Sequence, residues 1–116
     1  MNKREIGSSH EVQAAEFLQA RGMTVLMHSF RCRLGEIDLI ALDGDTLVFV
    51  EVKYRYSDRF GWGEDHVDHK KQATIFRVAQ VYLKQFCRDR IPPCRFDVVA
   101  IDKEQIVYYP NAFEKS

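Results

Sequence analysis

Two helical stretches and five strand-like runs can be read from the order of apolar and polar residues in this chain. Ser8 or Ser9 is suited to cap a helix that runs to about Arg21, with Gly22 fitted to the position just past its end. Ile75, Val78, Ala79, Tyr82, Leu83 and Phe86 form one apolar stripe at helical spacing within residues 67–88, and Pro92-Pro93 closes that segment. Residues 23–30 (MTVLMHSF) read as a strand. Residues 34–42 and 46–56 are two more, joined by Asp43-Gly44-Asp45 as a hairpin turn. Residues 95–101 (RFDVVAI) and 105–109 (QIVYY) form a last pair across Asp102-Lys103-Glu104, while residues 57–65 have loop composition. The order αβββαββ predicts an α/β fold, with a mixed β-sheet of about five strands flanked by α-helices. At 116 residues the chain is expected to form one domain.

The central hairpin has an anomaly. Its strands, "GEIDLIALD" and "TLVFVEVKY", carry Glu36, Asp38, Glu51 and Lys53 among apolar residues. Side chains alternate across a strand with period two. Glu51 and Lys53 then share a face with Phe49, and Glu36 and Asp38 share one with Ile40. A two-residue loop at Gly44-Asp45 sets Asp38 opposite Glu51 and Glu36 opposite Lys53. Directly opposed like charges destabilise a sheet, so two carboxylates placed there call for a cation or a raised pKa. A hard divalent ion takes oxygen ligands, and the Val52 carbonyl lies between the two charged residues of its strand as a further donor. Lys53 is placed to orient or deprotonate an attacking water, or to neutralise charge on a phosphate. The alternative is a solvated hairpin with Glu36–Lys53 and Asp38–Lys53 pairs, each worth only tenths of a kcal/mol.

The first helix bears on this choice. With Glu11 set at 0° and about 100° per residue, Leu18, Gly22, Ala15 and Ala14 all fall within about 60° of it. Glu11 thus occupies the most apolar face of the helix, where a carboxylate without a partner is unfavourable. Ser8-Ser9-His10-Glu11 also fits a capping box, which gives Glu11 a purely local role.

Composition narrows the function classes. Seventeen Lys and Arg balance seventeen Asp and Glu, which argues against a protein that coats DNA non-specifically but leaves room for a local basic rim. No apolar run reaches the ~18 residues of a membrane span, and the charged start of the chain lacks the apolar core of a signal segment. A cytoplasmic location is the expectation. Cys32, Cys87 and Cys94 have neither disulfide arithmetic nor metal-ligand spacing. His66-x-x-His69 has helical spacing without a third ligand.

Asp38, a spacer, then Glu51-Val52-Lys53 at the end of a hairpin resembles the PD-(D/E)XK nuclease superfamily, which includes restriction endonucleases and Holliday-junction resolvases. Ile37 stands where the motif's name expects Pro. More closely, the chain resembles the YraN family of small proteins grouped with the endonucleases. That likeness runs through Glu11, "FRCRLGEIDLI" (30–40), "VFVEVKYR" (48–55), Gly61, Lys71-Gln72, "RFDVVAI" (95–101) and "NAF" (111–113). The family usually has Asn where this chain has Ser29. The resemblance implies a restriction-endonuclease-like core and Mg²⁺ or Mn²⁺ held by Asp38 and Glu51. It also implies Lys53 as catalytic lysine, and Glu11 as the helix-borne acid that resolvases add to this site. The implied substrate is nucleic acid, DNA in the first place, and the resolvases suggest a homodimer. The apolar residues Val107, Tyr108, Tyr109 and Phe113 suit either a dimer interface or the chain's own core.

Arg31, Arg33, Arg55, Arg59 and Lys71 are candidates for the basic rim around a phosphate backbone, with Gln72 a site neighbour by resemblance. Trp62 is suited to stacking on an exposed base or to anchoring its loop. Glu36 fits either the metal site or a pair with Lys53, and Asp97 reads as structural. A non-cleaving nucleic-acid-binding module and a calcium-binding or solvated acidic surface are the competing function classes.

Overall fold

The computed structural model describes residues 3–54, 67–102 and 105–114, with side chains from Ser9 onward. Its elements are α1 (Lys3–Ala20), β1 (Thr24–Cys32), β2 (Gly35–Asp43), β3 (Thr46–Tyr54), α2 (His69–Phe86), β4 (Cys94–Ile101) and β5 (Ile106–Phe113), in the expected order. All strands join one sheet in chain order, β1-β2-β3-β4-β5. Only β3 and β4 run parallel. A parallel neighbour requires a crossover, and α2 lies in that connection. The result is an α/β fold built on a mixed five-stranded sheet with a helix on each face.

Each helix covers its own apolar cluster. Ala14, Ala15 and Leu18 of α1 pack with Leu39, Ala41, Val48, Val50, Val99 and Ile101. Ile75, Val78, Ala79 and Tyr82 of α2 pack with Phe30, Ile37, Ile40, Phe49 and Val98 on the other face. The hairpin turn is the two-residue Gly44-Asp45 loop: Asp43 pairs with Thr46, Leu39 with Val50, and Gly44 has φ 61°. Gly35 opens β2 at φ 154°, where a Cβ atom would lie 2.7 Å from Thr74 Cγ2 and 3.3 Å from Val78 Cγ2. β2 approaches α2 closely here, and only glycine fits without movement.

Several boundaries differ from expectation. Helix α1 starts at Lys3 and runs through Ser8 and Ser9, so no helix terminus exists there for Glu11 to cap. Lys3, Arg4 and Glu5 are good helix formers and extend the segment upstream. Helix α2 starts at His69, two residues late, because Asp68 caps it: Asp68 Oδ1 accepts the Lys71 N–H at 2.8 Å. Strand β1 is longer than predicted, and β5 runs on to Phe113. Asp97 makes the longer β5 possible. It is fully buried and accepts the Asn111 N–H at 2.8 Å, bonds from Arg95 Nε and Nη2, and the Tyr108 hydroxyl. Asn111 has φ 51° at this irregular stretch of the β4–β5 pairing. Phe113, Tyr108 and Tyr109 pack into the chain's own core clusters. The predicted loop 57–65 lies outside the described residues. No helix among the described residues is long and apolar enough to cross a membrane.

Candidate functional site

The site begins where the β2–β3 ladder ends. Paired rungs run from Asp43↔Thr46 to Leu39↔Val50 and stop there. Immediately beyond, Asp38 Oδ2 accepts the backbone N–H of Val52 at 2.8 Å, so a side chain takes over where backbone pairing ends. Simple alternation also fails at this point. Strict alternation puts Ile37 on one face with Leu39 and Ala41, yet it packs under α2 while those two pack under α1. On the neighbouring strand, Ser29 lies between the rungs Phe30↔Ile37 and His28↔Leu39, with φ 55°. A left-handed residue bends a strand and redirects its side chains. The charged residues therefore meet at a bend, and not along a flat face.

Asp38 has acidic neighbours on both sides. Towards α1, carboxylate oxygens of Glu11, Glu36 and Asp38 all lie within 4.8 Å of one another. Glu36 does not pair with Lys53; it accepts from the Arg31 guanidinium and from Ser29 Oγ at 3.1 Å, across the β1–β2 rung Arg31↔Glu36. The ladder ends before a Glu36↔Lys53 rung could form. Towards α2 lies Glu51, its side chain 6% exposed, with Lys71 Nζ 3.5 Å and Lys53 Nζ 3.9 Å from the same oxygen, Oε1.

The electrostatics follow from this crowding. Burial, then the Glu51 charge, push Asp38 up to about 7, against the partial relief given by the Val52 N–H. Burial also raises Glu51, although Lys71 and Lys53 oppose it, and it raises Glu11 with help from Asp38 and Glu36. Carboxylates that resist ionisation in one another's company form a site that a cation would relieve. The donors are all oxygen, which suits a hard divalent ion such as Mg²⁺ and not a soft one.

Of the residues singled out in the sequence, Glu11, Asp38, Glu51 and Lys53 come together. Val52 joins them through its N–H. Arg31 and Lys71 are exposed but engaged within the chain, on Glu36 and Glu51. Gln72 Nε2 donates to the Val67 carbonyl at 2.7 Å and ties down the start of α2. Arg33 is exposed. Arg55, Arg59, Trp62 and His66 lie outside the described residues, and His69 is an exposed first residue of α2. Ser29 and His28 were missed: Ser29 bonds Glu36, and His28 is close enough to Glu11 to favour its charged form. Nothing in a local pattern marks them. His10 was missed as well; it stacks on Tyr54 with ring centroids 4.1 Å apart, clamping α1 to the end of β3 beside Glu11 and Lys53.

Curated proteins of several bacteria are similar to this chain along nearly its whole length. A UPF0102 protein of Pseudomonas fluorescens (strain Pf0-1) is 44% identical over 110 residues, covering 93% of this chain and 92% of the relative. One from Lachnoclostridium phytofermentans is 43% identical over 114 residues, covering 98% and 97%. One from Francisella tularensis subsp. tularensis is 41% identical over 114 residues, covering 97% of each. Residues 10–101, which span Glu11, the bend at Asp38, Glu51 with its two lysines and the strand beyond, match the uncharacterised protein family UPF0102, and the chain belongs to that family.

Proposed function

We propose that this site is the centre of a metal-dependent nuclease that hydrolyses phosphodiester bonds in DNA, with branched recombination or repair intermediates as the leading substrates. The observation that carries the reading is the position of Asp38. Its carboxylate is anchored on the Val52 N–H, with Glu11 and Glu36 on one side and Glu51 with two lysines on the other. The likeness to the PD-(D/E)XK nucleases supports the same assignment, with Asp38, Glu51 and Lys53 as the motif residues.

Asp38, Glu51 and the Val52 carbonyl would hold Mg²⁺ or Mn²⁺, with Glu11 contributing from α1. When bound, such an ion supplies Lewis-acid stabilisation of phosphoryl charge and makes water a stronger nucleophile. The remaining work belongs to the protein. Lys53, one-third exposed, reaches outward to a phosphate and offsets charge that develops there. Ser29 and Arg31 keep Glu36 turned toward β1. Exposed Arg33 supplies a cation for the backbone next to the site.

The test is cleavage of a panel of branched, nicked, linear and single-stranded DNA by purified protein, in Mg²⁺ or Mn²⁺ and in chelator, with Asp38→Ala as control. Ion-dependent cleavage lost in the variant is the expected result. Activity that survives in chelator or in Asp38→Ala overturns the reading, and tight DNA binding without turnover identifies a non-cleaving module.

A further inference from the structure

Lys71 has a position that its expected role does not explain. A contact to a nucleic-acid backbone belongs on an outward-facing rim, yet the Lys71 ammonium lies 3.5 Å from Glu51 Oε1, nearer than the 3.9 Å of the motif lysine Lys53. Both cations lie on one oxygen of a nearly buried carboxylate.

The start of α2 fixes this arrangement. The Lys71 N–H is bonded to the Asp68 cap, and the adjacent Gln72 side chain is bonded to the carbonyl of buried Val67. The first turn is therefore pinned from both sides, and the lysine stem rises from a fixed point beside β3. Its end is open to water: the side chain is 44% exposed, so the ammonium can exchange the carboxylate for water at small cost to itself. Glu51 cannot leave in the same way, because a buried carboxylate without a partner is strongly unfavourable. One member of the pair is fixed and needs a cation, while the other is a cation that can depart.

We propose, resting on the metal-centre reading above, that Lys71 is the resident counterion of Glu51. It is a positioning residue that holds the carboxylate in the metal-free protein, gives way when a divalent ion binds, and leaves Lys53 for the phosphate. A charge at 3.5 Å from a ligand opposes an incoming dication, so its removal favours ion binding while it weakens the metal-free fold.

The experiment compares wild type, Lys71→Gln, Lys71→Arg and Lys53→Gln by Mn²⁺ titration calorimetry at pH 8.5 without nucleic acid, and by melting in chelator. Lys71→Gln should bind Mn²⁺ at least threefold more tightly and melt a few degrees lower, and Lys71→Arg should restore wild-type values in both. Lys71→Met, which keeps the stem, serves if Lys71→Gln does not fold. Unchanged Mn²⁺ affinity overturns the proposal, whether it comes with lower melting (a plain ion pair) or with weaker, less salt-sensitive DNA binding (a backbone contact). Weaker Mn²⁺ binding overturns it too. If wild type takes up no Mn²⁺ at millimolar concentration, the metal reading fails and the displacement with it. The pairing is then judged separately by a double-mutant cycle of Lys71→Gln with Glu51→Gln in chelator, where additive melting shifts remove it.

Discussion

The Asp38 carboxylate accepts the Val52 amide at 2.8 Å, one step beyond the last rung that joins β2 to β3. One side chain thus closes the end of a ladder and belongs to the acidic cluster with Glu11 and Glu36. The two jobs separate by substitution. Asp38→Asn retains an oxygen able to accept from Val52, while Asp38→Ala leaves that partly buried N–H without it. Both variants should lose ion-dependent cleavage by at least ~100-fold, as expected for removal of a metal ligand. In chelator, Asp38→Ala should be the less stable of the two by about 1–2 kcal/mol, the penalty of an unsatisfied donor. Cleavage assays and denaturant melts on the pair check this, and equal stability would remove the anchoring role.

The raised carboxylates make a signed prediction about pH. A group with a higher pKa in the folded state binds protons more tightly there than in the unfolded chain. Its contribution is therefore present in acid and lost as pH rises. For Asp38 the loss runs from the ordinary aspartate value near 4 to about 7 in the fold. In chelator, wild type should lose roughly 1–3 kcal/mol more than Asp38→Asn between pH 5 and pH 8. Glu51→Gln should recover less, because Lys71 and Lys53 already offset that charge. Millimolar Mg²⁺ should raise the wild-type melting temperature at pH 8 and leave Asp38→Asn unmoved. Parallel pH–stability curves for wild type and Asp38→Asn would contradict the crowding.

Ser29 has φ 55°, a left-handed conformation that Asn adopts more readily than Ser. Ser29→Asn should stabilise the protein by about 0.5 kcal/mol. The amide can still donate to Glu36, so ion-dependent activity should stay within twofold. Urea midpoints for the two proteins decide it, and a lower midpoint for Asn would mean that the hydroxyl bond to Glu36 matters more than the backbone.

Gly35 combines φ 154° with a close approach to α2. Gly35→Ala should destabilise by about 2 kcal/mol through backbone strain and overlap. Adding Thr74→Ser removes the methyl at 2.7 Å and should recover the overlap component but not the strain. Thermal melts of the single and double variants separate the two. Full recovery would assign the whole effect to packing.

Much of this protein is legible in one dimension. Apolar periodicity places both helices and all five strands, because each element must present an apolar face to a common core. The Asp43-Gly44-Asp45 turn marks the hairpin but allows more than one loop length, and the structure selects the two-residue loop at Gly44-Asp45. The Asp, Glu-x-Lys pattern and the apolar surroundings of Glu11 single out four residues that do converge. Other features depend on contacts that no local pattern encodes. The reach of α1 upstream removes the capping box at Ser8, and the bend at Ser29 breaks the alternation around Asp38. Glu36 turns to Arg31 because β1 is its rung partner, and β5 continues to Phe113 because buried Asp97 collects donors from β4 and β5. The crossover through α2 carries Lys71 from twenty positions further along the chain onto Glu51. Periodicity reports which face a residue shows, whereas the partner waiting at that face is set by long-range packing and by the need to satisfy each buried charge.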